Sequence, residues 1–144
     1  MQGKIIDSHF SETMRYCEVT KQSKYGTFIN SAFCEDEDKD IFNEWDGCRF
    51  AEYKCDLEIF YAKIKEFKAR LRGMENVYKS LTQTVEETNE VMVKLMKQIK
   101  IARRDIDNMQ KQYNHLYKQY PDFTESILKE RREFREKMSE KHVE

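Results

Sequence analysis

Four thiols are the residues in this sequence best suited to chemistry: Cys17, Cys34, Cys48 and Cys55, all near the start of a chain of 144 residues. An even number of cysteines confined to one short segment fits a structural zinc ion, whose thiolates sit ~2.3 Å from the metal. The intervening stretches are 16, 13 and 6 residues long, and no C-x2-C knuckle occurs. Cys48 and Cys55 also set a geometric condition. On one regular helix they would lie ~10.5 Å apart along the axis, too far to share an ion. A zinc site therefore needs Cys48 in an Asp46-Gly47-Cys48 turn and Cys55 just inside the next helix, with His9 as an alternative ligand. The competing readings are reduced thiols filling a small core and disulfides, which a chain lacking a secretion signal does not favour. The cofactor expectation is thus none, or one structural zinc.

Other chemistry is sparse. His115 and His142 have no neighbouring carboxylate or cysteine pattern that would make a catalytic base, and read as surface residues. There is no phosphate-cradling G-x-x-x-x-G-K-[ST], no G-x-G-x-x-G and no G-x-S-x-G, and only 4 glycines from which to build such loops. Asp36, Asp38 and Asp40 mimic the first ligands of a calcium loop. Ile41 then stands where the sharp turn needs Gly, and Gly47 where the closing Glu belongs. The run Glu35–Asp40 reads instead as a solvated loop or the acid-rich first turn of a helix. These absences predict a protein that is not an enzyme.

The elements that must position these residues announce themselves from Phe50 onward. Steps of three and four give Phe50, Tyr53, Leu57, Phe60, Ile64, Phe67, Leu71, Met74, Tyr78, Leu81, Val85, Thr88, Met92, Leu95, Ile99, Ala102, Ile106, Met109, Tyr113, Leu116 and Tyr120. Of these 21 positions 20 are apolar, against 12 of the 50 between them, so the pattern is a heptad repeat and not general greasiness. A straight helix drifts ~20° per heptad, so a stripe held in phase for this long implies a left-handed supercoil with a partner helix. Burying one large apolar side chain stabilises by ~1.5–3 kcal/mol, and twenty of them outweigh any propensity term.

Two arrangements satisfy that seam. One is a continuous helix over 50–120, roughly 107 Å long at 1.5 Å per residue, paired with a copy of itself. The other folds back near Thr82–Glu90, which holds three Thr and one Asn, weak helix formers, and the only polar seam residue, Thr88. Apolar flanks at Tyr61, Val77, Val91, Met96 and Tyr117 widen the face beyond a strict dimer seam. They point to three or more helices, or to another segment packed on the shoulder. Pro121 is expected to end the helix, and Asp122 or Thr124 to cap a fresh one over about 125–141 that folds back on the first.

The first 49 residues read differently. Arg15–Val19 and Thr27–Cys34 are β-leaning, with a turn at Tyr25-Gly26 that would bring Cys17 roughly opposite Cys34. Asp40–Trp45 suggests a short helix stopped at Asp46-Gly47, and Phe28, Phe33, Phe42, Trp45 and Phe50 a small satellite core. The expected class is mainly α: a small Cys-containing α+β head over 1–49, a coiled-coil helix or helical hairpin over 50–120, and a C-terminal helix and tail over 121–144.

The composition is 39% hydrophobic and 37% charged, with one Pro and a net charge of −1, which excludes collagen-like, low-complexity and all-β proteins. No apolar run reaches the ~18 residues of a membrane helix, so the expected location is cytoplasmic and no membrane partner is expected. Charge is uneven: residues 1–55 carry 7 basic and 11 acidic side chains, residues 56–120 carry 13 and 9. Lys97, Arg104, Lys111 and Lys118 recur every seven residues on the outer face, where they either form an ordinary solvated surface or track phosphates. The functional expectation is a non-enzymatic coiled-coil interaction or adaptor protein that oligomerises and binds another protein through its head or C-terminal helix. The alternative is a nucleic-acid-binding accessory factor that uses the basic outer face, with or without a zinc-bound head.

Overall fold

The computed structural model describes residues 3–82 and 89–143. The chain is mostly helical, with a three-stranded antiparallel sheet at its N-terminus. Strands β1 (Lys4–Ser11), β2 (Tyr16–Ser23) and β3 (Gly26–Phe33) form a meander in the order β1-β2-β3, followed by a 3-10 turn at Asp36–Asp38 and the helices α1 (Glu44–Leu81) and α2 (Asn89–Val143). Two compact units result: residues 1–60 with 115–144, and residues 61–114.

In the first unit the sheet follows strict alternation. Along β2, Cys17, Val19 and Lys21 are buried, and their neighbours in between are not. Those side chains meet Ala51 and Cys55 of α1, four residues apart and so on one helix face, with Ala32 from β3 completing the cluster. The β2–β3 loop closes at Lys24-Tyr25. Gly26 takes φ 134°, a conformation that a Cβ would strain, and the Ser23 hydroxyl accepts from the Tyr25 amide at 3.1 Å. Pairing sets Cys17 opposite Ala32, so Cys34 lies one residue past the end of β3 and is not the cross-strand partner of Cys17. β1 has no counterpart among the sequence expectations. It pairs with β2 through a register irregularity between Ile5 and Asp7, which interrupts the alternation that would betray a strand.

Helix α1 starts earlier than its heptads do. Asn43 caps it: the Asp46 amide donates to Asn43 Oδ1 and Asn43 Nδ2 donates to the Asp46 carboxylate, both at 2.9 Å. The expected short helix over Asp40–Trp45, stopped at Asp46-Gly47, is therefore replaced by a helix that runs straight through Gly47. Two members of the expected satellite core are outside it. Phe33 and Trp45 are 70% and 69% exposed, because Phe33 has the opposite strand parity to Ala32 and Trp45 points off the buried face. Phe28 and Phe50 pack against the core, and Phe42 stacks on Phe10 with ring centroids 5.4 Å apart.

Each unit contains an antiparallel helix pair. In the first, Tyr53 packs on Tyr120 and Phe123, and its hydroxyl donates to the Leu116 carbonyl at 2.7 Å. In the second, Tyr61 meets Tyr113, Lys68 donates to Gln110, and Arg103 pairs with Glu75. Within each unit the contact positions descend on α2 as they rise on α1, which only a reversal of direction produces. Of the two arrangements expected for the heptad seam, the folded-back one fits these pairs; α1 ends at Leu81, so one unbroken helix over 50–120 is not formed. Residues 83–88, including seam positions Val85 and Thr88, lie outside the described residues.

Pro121 does not end a helix. It sits inside α2, and the expected separate C-terminal helix is the continuation of the same one. Interior proline costs ~3 kcal/mol by removing one donor and crowding the preceding turn. Contacts on both sides of it oppose that cost: Tyr120 and Phe123 against Tyr53, Phe123 against Phe50, and ion pairs from Arg131, Arg132 and Arg135. The Thr124 hydroxyl, expected as a cap, instead donates to the Pro121 carbonyl at 3.0 Å. None of the described helices is long and apolar enough to cross a membrane.

Candidate functional site

The heptad seam is where the sequence concentrates its information, and its burial follows the register. Leu57, Phe60, Ile64, Ile99 and Ile106 are buried. Phe67, Leu71, Met74, Tyr78, Leu81, Met92, Leu95, Met109 and Tyr113 are half-buried, and Leu116 is exposed despite its seam position. The first unit has a second buried stripe, Ala51, Cys55 and Ile59, on the side of α1 opposite the seam, and the sheet covers it. It is not the expected cover on the seam's flanks, since Tyr61, Val77, Val91, Met96 and Tyr117 all stay exposed. In residues 61–114 apolar side chains stand open on both flanks of the seam and outside it: Tyr61, Val77, Val91, Val93, Met96 and Ile101 are between 49% and 56% exposed. An open groove of about 380 Å³ lies there between Tyr78, Met96 and Ile99, flanked by Glu75 and Arg103.

The cysteines do not converge. Cys48 and Cys55 share α1, the arrangement that forbids a common ion, and among the described residues no three His, Cys, Asp or Glu side chains group as metal ligands. The zinc expectation over Cys17, Cys34, Cys48 and Cys55 is corrected accordingly. Cys55 is held by the Val19 and Phe28 carbonyls and by the Asn30 amide, while Cys34 donates to the Glu35 carbonyl. Cys17 and Cys48 alone meet, with sulfurs 2.8 Å apart. Burial, then the hydrogen bond to Cys48, pushes the Cys17 thiol up to about 12; burial also raises Cys34 and Cys55.

Buried charge is the feature that sequence reading missed. Lys21 has a fully buried side chain and bridges Glu52 at 2.9 Å and Asp56 at 2.6 Å. Burial alone would lower its pKa, but the hydrogen bonds to Asp56 and Glu52 outweigh that and raise it. The acidic run is not simply solvated either. Asp38 is buried and takes a bidentate pair from Arg132 at 2.6 and 2.7 Å, while Arg131 pairs with Asp46 and Arg135 with Asp40. The Arg132 guanidinium holds the Asp38 carboxyl below the usual carboxylate range. A cavity of about 170 Å³ opens next to this clasp, between Ala32, Cys34, Ile41, Phe50 and Leu128. Its polar wall is already engaged: Asp38 and Asp46 by arginines, Lys54 by the Ser31 carbonyl at 2.9 Å.

On the outer face of α2, Lys97, Arg104, Lys111 and Lys118 are exposed, Arg104 lying 3.7 Å from Asp105. His115 is exposed, and the side chain of His142 lies outside the described residues. Comparison with family models, with curated proteins and with solved structures returns no significant match.

Proposed function

We propose that the chain is a non-enzymatic, cytoplasmic interaction protein whose heptad seam forms a coiled coil, and that residues 61–114 join a second copy of the chain to build a platform for another protein. The observation that carries this reading is the uncovered apolar surface around the seam. Among the described residues of that unit, only Ile64, Ile99 and Ile106 reach 7% exposure or less, while Val77, Val91, Val93, Met96 and Ile101 stay about half exposed. Each such residue, if covered, adds up to ~1.5–3 kcal/mol; they stand on both flanks of the seam, and helices of a second copy packed along the pair, as in a four-helix bundle, cover the flank where the groove at Met96 opens. Light scattering on the purified chain at tens of micromolar should give twice the chain mass. Val91→Glu with Met96→Glu should return it to one chain mass with helical circular dichroism kept. A wild-type mass of one chain at that concentration overturns the reading.

The exposed row Lys97, Arg104, Lys111 and Lys118 supports a second reading, an accessory factor that contacts nucleic-acid phosphates. It predicts DNA or RNA binding that weakens steeply from low to physiological salt and is lost when the four become Glu. No band shift at low salt removes it.

A further inference from the structure

Cys17 and Cys48 belong to neither a metal site nor the helical seam, yet they are the two thiols that touch. We propose that they form a peroxide-reactive dithiol: Cys48 is the thiol that an organic or hydrogen peroxide oxidises, and Cys17 resolves it to an intramolecular disulfide joining β2 to the start of α1.

The roles follow from placement. Cys17 is fully buried in the core cluster, whereas Cys48, in the second turn of α1, keeps part of its surface exposed and is the one of the two that solvent borders. Gly47 brings them together: a Cβ there would stand 3.0 Å from Cys17 Cβ, so the absence of a side chain lets the helix backbone settle on the strand. With the sulfurs 2.8 Å apart, less than an ångström of movement reaches the ~2.05 Å of a disulfide. Cys34 and Cys55 are both engaged elsewhere, by the Glu35 carbonyl and by Asn30 with two backbone carbonyls, which leaves Cys48 one nearby thiol to react with.

The steps balance. The Cys48 thiol gives up its proton to solvent, and its sulfur gives an electron pair to one peroxide oxygen; the O–O bond breaks, the leaving hydroxide or alkoxide takes a proton back from solvent and departs as water or the alcohol, and Cys48 becomes a sulfenic acid. The Cys17 sulfur then attacks the Cys48 sulfur, the S–O bond breaks, and the departing hydroxide takes the Cys17 proton as water. One peroxide is reduced and two thiols are oxidised to one disulfide. Burial keeps the Cys17 proton in place until that second step, and a thiol reduces the bond again by exchange.

The test uses the reduced full-length chain and stoichiometric hydrogen peroxide. Intact mass should fall by two hydrogens, peptide mapping should join the Cys17 and Cys48 peptides, and Cys34 and Cys55 should remain open to alkylation after unfolding. Dithiothreitol should restore the mass. In Cys17→Ala a dimedone adduct should accumulate on Cys48 that the wild type does not show, and Cys48→Ser should leave Cys17 unoxidised. Because a change at the buried Cys17 risks the fold, circular dichroism accompanies each variant, and the half-buried Cys48→Ser carries the decision. A bond from Cys48 to Cys34 or Cys55, or sulfinic Cys48 beside free Cys17 in the wild type, overturns the proposal.

Discussion

The two units solve the same problem, how to cover an apolar helix face, in different ways. In residues 1–60 with 115–144, α1 carries two stripes on opposite faces: α2 covers one and the sheet covers the other, down to zero exposure at Cys17, Val19, Ala51, Cys55 and Ile59. In residues 61–114 the helix pair covers only the seam, and the apolar side chains around it face solvent. The first unit has a core that includes a buried cation; the second has a half-finished one. The lesson is that one heptad register can serve an enclosed unit and an open one, and what distinguishes them is the second stripe and who occupies it.

The sharpest way to break the first half of that comparison is to leave its buried cation alone. Lys21 is fully buried, whereas Glu52 and Asp56 are 30% and 43% exposed, so the two sides of the bridge are unequal. Glu52→Gln with Asp56→Asn strands an uncompensated charge and should cost about 3–5 kcal/mol. Lys21→Met frees two carboxylates that water can reach, fills the slot with an apolar chain, and should be close to neutral. Urea unfolding of both variants decides: equal losses would mean that Lys21 is hydrated in solution and the core is not closed around it.

Truncating a buried isoleucine in each unit, Ile59 under the sheet and Ile106 in the seam, sharpens the contrast. Ile59→Ala and Ile106→Ala should each cost about 2–4 kcal/mol. Where the core is self-contained, at Ile59, the midpoint of thermal unfolding should shift by the same amount at every protein concentration. At Ile106, in the unit proposed to pair with a second copy, the shift should grow as the protein is diluted, since association contributes by mass action. A concentration-independent midpoint for both would place the two units on the same footing.

How much of this was legible in the sequence depends on the range of the interaction. The seam from Leu57 to Tyr113 could be read because periodicity is a local property, and so could the β2–β3 turn, where Gly26 marks the left-handed position. The start of α1 was misread because Asp46-Gly47 looks like a stop signal, whereas Asn43 three residues earlier is the cap that pairs with Asp46. Pro121 misled for a related reason: intrinsic propensity was trusted where aromatic contacts and arginine pairs on both sides override it. The charged clasp was out of reach altogether. Asp38 and Arg132 are 94 residues apart in the chain, and nothing in the local pattern of either announces the other. The stripe at Ala51, Cys55 and Ile59 lies off the heptad register, and nothing local marks it as buried, because its cover is a sheet with no helical period.

The clasp offers a smaller and pH-dependent effect. The carboxyl of Asp38 has a folded-state pKa below its unfolded one, so its contribution is fully present above the ordinary aspartate value of about 3.9 and disappears as the pH falls through the lower folded value. Asp38→Asn should therefore be less stable than the wild type at neutral pH, and the two denaturation midpoints should converge on acidification below about pH 3.9. A gap that stays constant through that range would assign the loss to packing and not to the Arg132 pair.

The smallest expected effect is on the open side. Arg103 bonds Glu75 at 2.9 Å across the second helix pair, but its side chain is 63% exposed. Pairs of this kind contribute about 0.2–1 kcal/mol and are screened by salt, so in an isolated helix pair Arg103→Ala should shift stability by no more than that, and by almost nothing in concentrated salt. The same residue flanks the groove that includes Met96 and Ile99. If a second copy covers that groove, Arg103 leaves water, its pair with Glu75 strengthens, and the substitution should weaken dimer association at low protein concentration by more than the surface value. Measured by dilution light scattering, a dissociation constant unchanged by Arg103→Ala would move the contact to the other side of the helix pair.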